Sequence, residues 1–335
     1  MLLHSHLDFE TTNPYVRGFI FSGLSDIAYE DDQVIRAERL SIFGLTETRW
    51  ICAKVQFYLF ADTECSVIEG EDLIIVAFRG SETDFAERQN LIDWLNNFEA
   101  VQTLFYGTRV HVGFAQAVNA AIQQIEDWIR PRRRGKKIWF TGHSLGGALA
   151  LLAGYYFEKK RYSVGGIVNF GSPRVGGLIW LNSINRYNLN NKIDRWINMD
   201  DPVPRLPLPL QISIPGSHIW NHVGAGHYIN WEKKIITLDQ QSFLERVLPT
   251  FNLEDHKLLH YKWRIWELLS KEDKDQILNI ASGHLNLSKV VTRMSKEGDF
   301  PRLVDYSFQR ASKKFSALCK TCQIYSLRRM GIRHF

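Results

Sequence analysis

The 335-residue sequence predicts an α/β fold: a mostly parallel, twisted sheet with helices on both faces. Three observations lead to it. Short, apolar runs recur at Leu73–Phe78, Ile138–Thr141, Gly166–Phe170 and Trp196–Met199. Between them lie longer segments such as Ala115–Ile129 and Gly146–Glu158, which read as helices. Glycine-containing turns punctuate the alternation. Parallel strands are buried on both faces and read as continuous apolar runs, and strand–helix alternation produces crossovers that cover both sides of a sheet.

Taken in order, residues 1–50 are of mixed polarity and read as helical. Ile51–Phe60 is strand-like, and with Leu73–Phe78 it would suit a hairpin. Arg79-Gly80-Ser81-Glu82-Thr83 is a loop signal directly after a strand. Residues 85–105 space apolar groups for a short amphipathic helix and a loop. The helix at Ala115–Ile129 stops at Pro131, which can neither donate a backbone hydrogen bond nor continue the turn. The basic run that follows, Arg132, Arg133, Arg134, Lys136 and Lys137, reads as a solvated turn. Ile235–Leu238 adds a further strand. After about residue 270 strand-like runs vanish and Lys- and Ser-rich helical sequence takes over. The expected organisation is therefore an α/β domain over 1–268 and a basic, mainly helical extension over 269–335.

Hydrophobic residues make up 45% and charged residues 23%, enough to bury a sizeable core. No apolar run reaches the roughly 18 residues of a membrane-spanning helix. The start, MLLHSHLDFE, brings Asp8 and Glu10 early and has no long apolar stretch, which does not read as a secretory signal. A cytoplasmic protein, or one exported by a non-classical route, is expected. Cys52, Cys65, Cys319 and Cys322 suggest no disulfide framework, and the lone Cys319-Lys-Thr-Cys322 reads as unpaired thiols. The net charge of +5 is mild. From Ala311 onward, however, Lys313, Lys314, Lys320, Arg328, Arg329 and Arg333 occur without an acidic residue. Such a tail would suit peripheral contact with an anionic membrane, or simply be a solvated end; nucleic acid is not an expected partner.

Gly142-His143-Ser144-Leu145-Gly146 fits G-x-S-x-G, a pattern that arises by chance about 0.1 times in a chain of this length and composition. Its context is more specific than the pattern. A short apolar strand precedes it and a small-residue helix follows. That is the strand–elbow–helix arrangement of α/β-hydrolases, in which a strained turn presents a serine hydroxyl to a cleft and the helix start offers N–H groups to an oxyanion. Such a serine needs a histidine base and a carboxylate, in the chain order Ser, Asp or Glu, His. Asp201, in Met199-Asp200-Asp201-Pro202-Val203-Pro204, follows a strand-like run and is the expected acid, with Asp200 as fallback. Seven histidines lie beyond it. Position favours His256, but His260 would share its face on a helix, and the residues alone separate the two only weakly.

Several stretches together resemble the class 3 (fungal-type) lipases: Phe78-Arg79-Gly80-Ser81, His111-Val112-Gly113-Phe114, Gly142–Ala148, Asn169–Gly176 and Asp200–Pro204. The resemblance spans roughly residues 50–262. That family's base often lies in a D-H-x-x-x-x-Y stretch, matched by Asp255–Tyr261, which implies His256 rather than His260. His222-Val223-Gly224 resembles a structural segment. The resemblance further implies Ser81 and Leu145 as oxyanion donors, and a lid over 84–104 in which Trp94, Leu95 and Phe98 are candidates to face lipid. It implies hydrolysis of lipid carboxylic esters through an acyl-enzyme, with no metal or organic cofactor. A phospholipase A1 acting on anionic membranes and a non-catalytic interaction module are the alternatives. The family pattern leaves residues 280–335 uncovered.

Overall fold

Among the described residues an eight-stranded sheet organises the chain. The computed structural model describes residues 8–10, 12–41, 43–55, 62–80, 101–208, 210–213, 216–230, 234–238 and 252–282. These belong to one compact unit, Met1–Leu285; a second unit, Asn286–Phe335, lies outside the described residues. In chain order the elements are α1 (Pro14–Ile27), α2 (Gln33–Ser41), β1 (Thr46–Ala53), β2 (Thr63–Glu69), β3 (Leu73–Phe78), β4 (Gln102–Phe105), β5 (Thr108–His111) and α3 (Val112–Ile129). There follow β6 (Lys137–His143), α4 (Leu145–Lys159), β7 (Val164–Phe170), α5 (Leu178–Arg186), β8 (Ile193–Asn198), β9 (Leu210–Ser213), β10 (Gly216–Ile219), β11 (Ala225–Ile229), β12 (Ile235–Leu238), α6 (Leu258–Leu268) and α7 (Lys271–Ser282).

The sheet order is β1-β2-β3-β6-β7-β8-β11-β12. β3, β6, β7, β8 and β11 run parallel, while β1 and β2 at one edge and β12 at the other are antiparallel to their neighbours. Every residue of β3, β7 and β8 is buried, as a parallel sheet covered on both faces requires. Adjacent residues of β6 show the two faces. Trp139 packs against Phe9 and Phe21 on the α1 side, and Phe140 packs against Phe157 of α4 on the other. α4 is apolar all round, and every residue from Leu145 to Phe157 is buried, which places this helix in the interior. α1 starts at Pro14 behind Asn13, whose side chain accepts from the Tyr15 N–H. Asn13 also donates to Asp273 at 2.9 Å, so α7 is tied to α1 within the same unit.

The structure corrects several sequence expectations. The first strand is Thr46–Ala53, not Ile51–Phe60, and residues 56–61 lie outside the described ones. It pairs with β2 rather than with β3. β2 (TECSVIE) escapes a periodicity reading because its burial comes from lying between β1 and β3, not from an apolar run. Residues 102–105 form strand β4 in a hairpin with β5, not the end of a helix or loop. β9, β10 and β11 carry Gln, Ser, Gly and His within four or five residues and were likewise illegible. The basic run 132–137 is more than a solvated turn. Arg132 stacks on Trp128 at 3.6 Å, Lys136 pairs with Glu69 at 3.2 Å and Lys137 with Glu10 at 3.0 Å. Among the described residues no helix is long and apolar enough to cross a membrane.

Candidate active site

Ser144 stands between β6 and α4 with φ 56° and ψ −127°. A non-glycine residue held in such a region costs about 1–3 kcal/mol and persists only when its surroundings enforce it. Close packing enforces it here. A Cβ added to Gly142 would lie 2.4 Å from the Gly146 carbonyl, and one on Gly146 would lie 2.4 Å from the Phe78 carbonyl oxygen. Only glycines let strand, turn and helix approach this far. The Ser144 N–H donates to Phe170 O at 2.9 Å, which pins the elbow to the end of β7. Leu145 opens α4, where backbone N–H groups without helical acceptors and the positive end of the helix dipole meet the serine.

The acid arrives from β8. After Asn198 the chain turns through Met199 (φ 43°), and Asp201 N–H closes back on Asn198 O at 2.9 Å. Asp201 is fully buried. It accepts from Val203 N–H at 2.9 Å and from Tyr261 O–H at 2.5 Å. His256 Nδ1 lies 3.0 and 2.9 Å from its two carboxylate oxygens. His256 Nε2 lies 2.9 Å from Ser144 Oγ. A carboxylate only accepts, so Nδ1 carries the proton and Nε2 turns its lone pair to the serine hydroxyl. The structure thus brings Ser144, His256 and Asp201 together in one hydrogen-bonded series. That series can take the hydroxyl proton as Oγ attacks a carbonyl.

The alternates lie elsewhere. Asp200, the fallback acid, occupies the turn and pairs with Arg205 at 3.4 Å. His260 does not continue a helix with His256. His256 ends a short 3-10 turn, Leu253–His256, and His260 belongs to α6, where burial, Arg264 and Lys257 lower its pKa to about 4. His222 is buried and donates through Nε2 to Pro204 O at 2.6 Å, supporting the loop behind the acid.

Sequence reasoning missed the residues that hold these three in place. Tyr261 closes the D-H-x-x-x-x-Y stretch, and that spacing is the signal that could have identified it. Burial, then the Asp201 charge, raises its pKa well above the ordinary value, so it stays an O–H donor to Asp201. Arg264 Nη1 donates to Asn198 Oδ1 at 2.6 Å and Asp255 Oδ1 at 2.9 Å, and Asn198 Nδ2 donates to Asp255 O at 2.8 Å. These bonds lock the turn that carries His256 to the end of β8, which leads to Asp201. Nothing local in the sequence marks them. Ser81, Trp94, Leu95 and Phe98 lie outside the described residues. Among the described residues no group of three or more His, Cys, Asp or Glu could hold a metal ion.

Residues 75–211 match the family model described as Lipase (class 3). A 140-residue stretch is 34% identical to the secreted mono- and diacylglycerol lipase 1 of Fusarium solani, covering 40% of this chain and 39% of that protein. A 158-residue stretch is 25% identical to the chloroplastic phospholipase A(1) DAD1 of Arabidopsis thaliana, covering 40% of this chain and 33% of that protein. The chain therefore spans about a third to a half of the length of such curated relatives. Among solved structures, the triacylglyceride lipase of Rhizomucor miehei matches with a TM-score of 0.57 at 22% identity, over 73% of this chain and 94% of that one. That likeness shows the α/β-hydrolase fold.

Proposed function

We propose that the chain is a serine hydrolase that cleaves carboxylic esters of lipids, a lipase or esterase toward acylglycerols, a reading supported by the match of residues 75–211 to the class 3 lipase model. The observation that carries this reading is the unbroken series from Ser144 Oγ through His256 to the buried Asp201. In the proposed reaction His256 Nε2 takes the Ser144 proton as Oγ attacks the ester carbonyl. The backbone N–H of Leu145, with the hydroxyl and N–H of Ser81, stabilises the tetrahedral oxyanion. The imidazolium, steadied by Asp201, returns the proton to the departing alcohol. Water then repeats the sequence on the acyl-enzyme and frees the fatty acid. Trp94, Leu95 and Phe98 belong, on this reading, to a lid that meets lipid.

The sequence match to a plant phospholipase A(1) and the acid-free basic stretch after Ala311 favour one second reading, phospholipase A1 action on anionic membranes. The direct test is p-nitrophenyl ester hydrolysis by wild type and Ser144→Ala. A loss of at least about 1,000-fold is expected. Equal rates would overturn the proposal and favour a non-catalytic module of this fold. Profiling the lipids hydrolysed, acylglycerols against phospholipids in anionic vesicles, decides between the two hydrolytic readings.

A further inference from the structure

The elbow histidine, His143, has no part in the acyl transfer described above, yet it is 7% exposed and touches the base. Its ring packs on the ring of His256 with centroids 4.5 Å apart. Its Nε2 lies 2.6 Å from the backbone carbonyl oxygen of His256, and its Nδ1 lies 3.1 Å from the Tyr29 hydroxyl. That hydroxyl in turn receives the N–H of Gly80 at 3.1 Å. Donor and acceptor rules fix the direction of every bond. A carbonyl only accepts, so His143 Nε2 holds the proton; in the neutral ring that burial favours Nδ1 then accepts from the Tyr29 O–H, which has the His143 carbonyl oxygen as a second, longer acceptor at 3.5 Å, and the lone pairs of Tyr29 face the Gly80 N–H. The series runs one way, from Gly80 through Tyr29 and His143 to His256, with each group satisfied.

Packing leaves this series no alternative place. A Cβ on Gly80 would lie 2.2 Å from the Tyr29 hydroxyl and 2.6 Å from the His143 carbonyl oxygen. The same α1–α2 connection grips the preceding residue as well: Arg79 pairs with Asp31 at 2.7 Å, and Glu64 of β2 adds a contact at 3.1 Å. Tyr29 and Asp31 lie outside the segment that matches the family model, so the end of β3 is fixed by a part of the chain that the family match does not include.

We infer that Tyr29 and His143 are positioning residues that set the backbone of the base, His256, in register with Gly80, two residues beyond strand β3 and bonded to Ser81. This deepens the ester-hydrolase reading and rests on it. Attack geometry falls off steeply with misplacement: a shift of about 1 Å can cost 100-fold in rate. Linking Gly80 to His256 through one series of bonds keeps the segment leaving β3 and the backbone of His256 at a fixed separation. His143 can serve because its buried ring favours the neutral form. Burial, and next the neighbouring His256, hold its pKa well below the usual value, and burial raises that of Tyr29. Both ends of the series thus keep their protons where the bonds need them.

The test compares Tyr29→Phe, His143→Phe and the double variant with wild type on a p-nitrophenyl ester, with His143→Gln as the variant that restores one acceptor and one donor. Each single change is expected to lower kcat about 10- to 100-fold with KM within about 2-fold, the double no further than the worse single, and the Gln variant to recover most of the loss, as members of one unit behave. Losses that multiply, or unchanged kcat in both singles, would overturn the inference. A second measurement separates its failure from that of the parent reading. In protein labelled with ¹⁵N-histidine, His143 should show the neutral, Nε2-protonated tautomer at the pH of the assay whether or not the protein hydrolyses esters. A charged or Nδ1-protonated His143 would refute the relay; absence of wild-type hydrolysis with the expected tautomer would refute only the ester-hydrolase reading and the kinetic role with it.

Discussion

Asp201 is buried completely yet receives donors from three directions: the His256 ring, the Val203 amide and the Tyr261 hydroxyl. A carboxylate without water needs such donors, since each hydrogen bond to a charged group is worth about 1.5–3 kcal/mol. Tyr261→Phe removes one of them and also leaves the Asn198 N–H, which donates to that hydroxyl at 3.2 Å, without its acceptor. Stability should fall by about 1–3 kcal/mol in urea denaturation. The uncompensated charge on Asp201 should pull harder on the imidazolium, so the acid limb of the kcat/KM profile should move to higher pH. An acid limb that stays in place would show that Tyr261 supports the fold without tuning the base. The strained Ser144 belongs to this scale too. Its φ of 56° follows from glycines at 142 and 146 that no side chain could replace without backbone movement.

At the scale of elements, what was legible depended on where the signal resides. The central strands β3, β6 and β7 and the helix α4 stand out because burial on all sides writes itself as largely apolar sequence, α3 stands out because its buried residues recur at helical spacing, and β8 shows only at its Trp196–Ile197 end because Asp194 and Arg195 interrupt it. The elbow stands out because its glycines are demanded by close approach. β2 and the β4–β5 hairpin do not, since cross-strand pairing rather than intrinsic pattern decides short strands. The association of Ser144, Asp201 and His256 could be ordered along the chain, but Arg264 and Asn198, 66 residues apart, or Tyr29 and His143, 114 apart, meet only after folding. The separation of His256 from His260 was likewise a matter of backbone. A 3-10 turn ending at His256, followed by an extended Lys257, breaks the helical face the two would have shared.

For the whole molecule, several histidines are buried in neutral form, which makes acid the vulnerable direction. Burial lowers the pKa of His143 and of His222 well below the ordinary value, and that of His260 to about 4. The unfolded chain, with histidines near pH 6.5, binds protons that the folded chain refuses, so the stability these groups contribute is fully present above about pH 6.5 and lost as pH falls below it. Asp255, whose folded pKa is raised by burial, works in the opposite sense at lower pH and offsets part of the loss. The midpoint of thermal unfolding should therefore drop steadily between about pH 6.5 and pH 4, and His260→Gln should flatten that slope; a midpoint that is flat or rises on acidification would contradict this. The central claim is that Ser144 is a nucleophile activated by His256. Its most direct test is site-mapped covalent labelling with a fluorophosphonate probe, in wild type and in His256→Ala. The account predicts an adduct on Ser144 that forms at least about 1,000-fold more slowly without the histidine. Labelling that misses Ser144, or proceeds equally fast in both proteins, would contradict it.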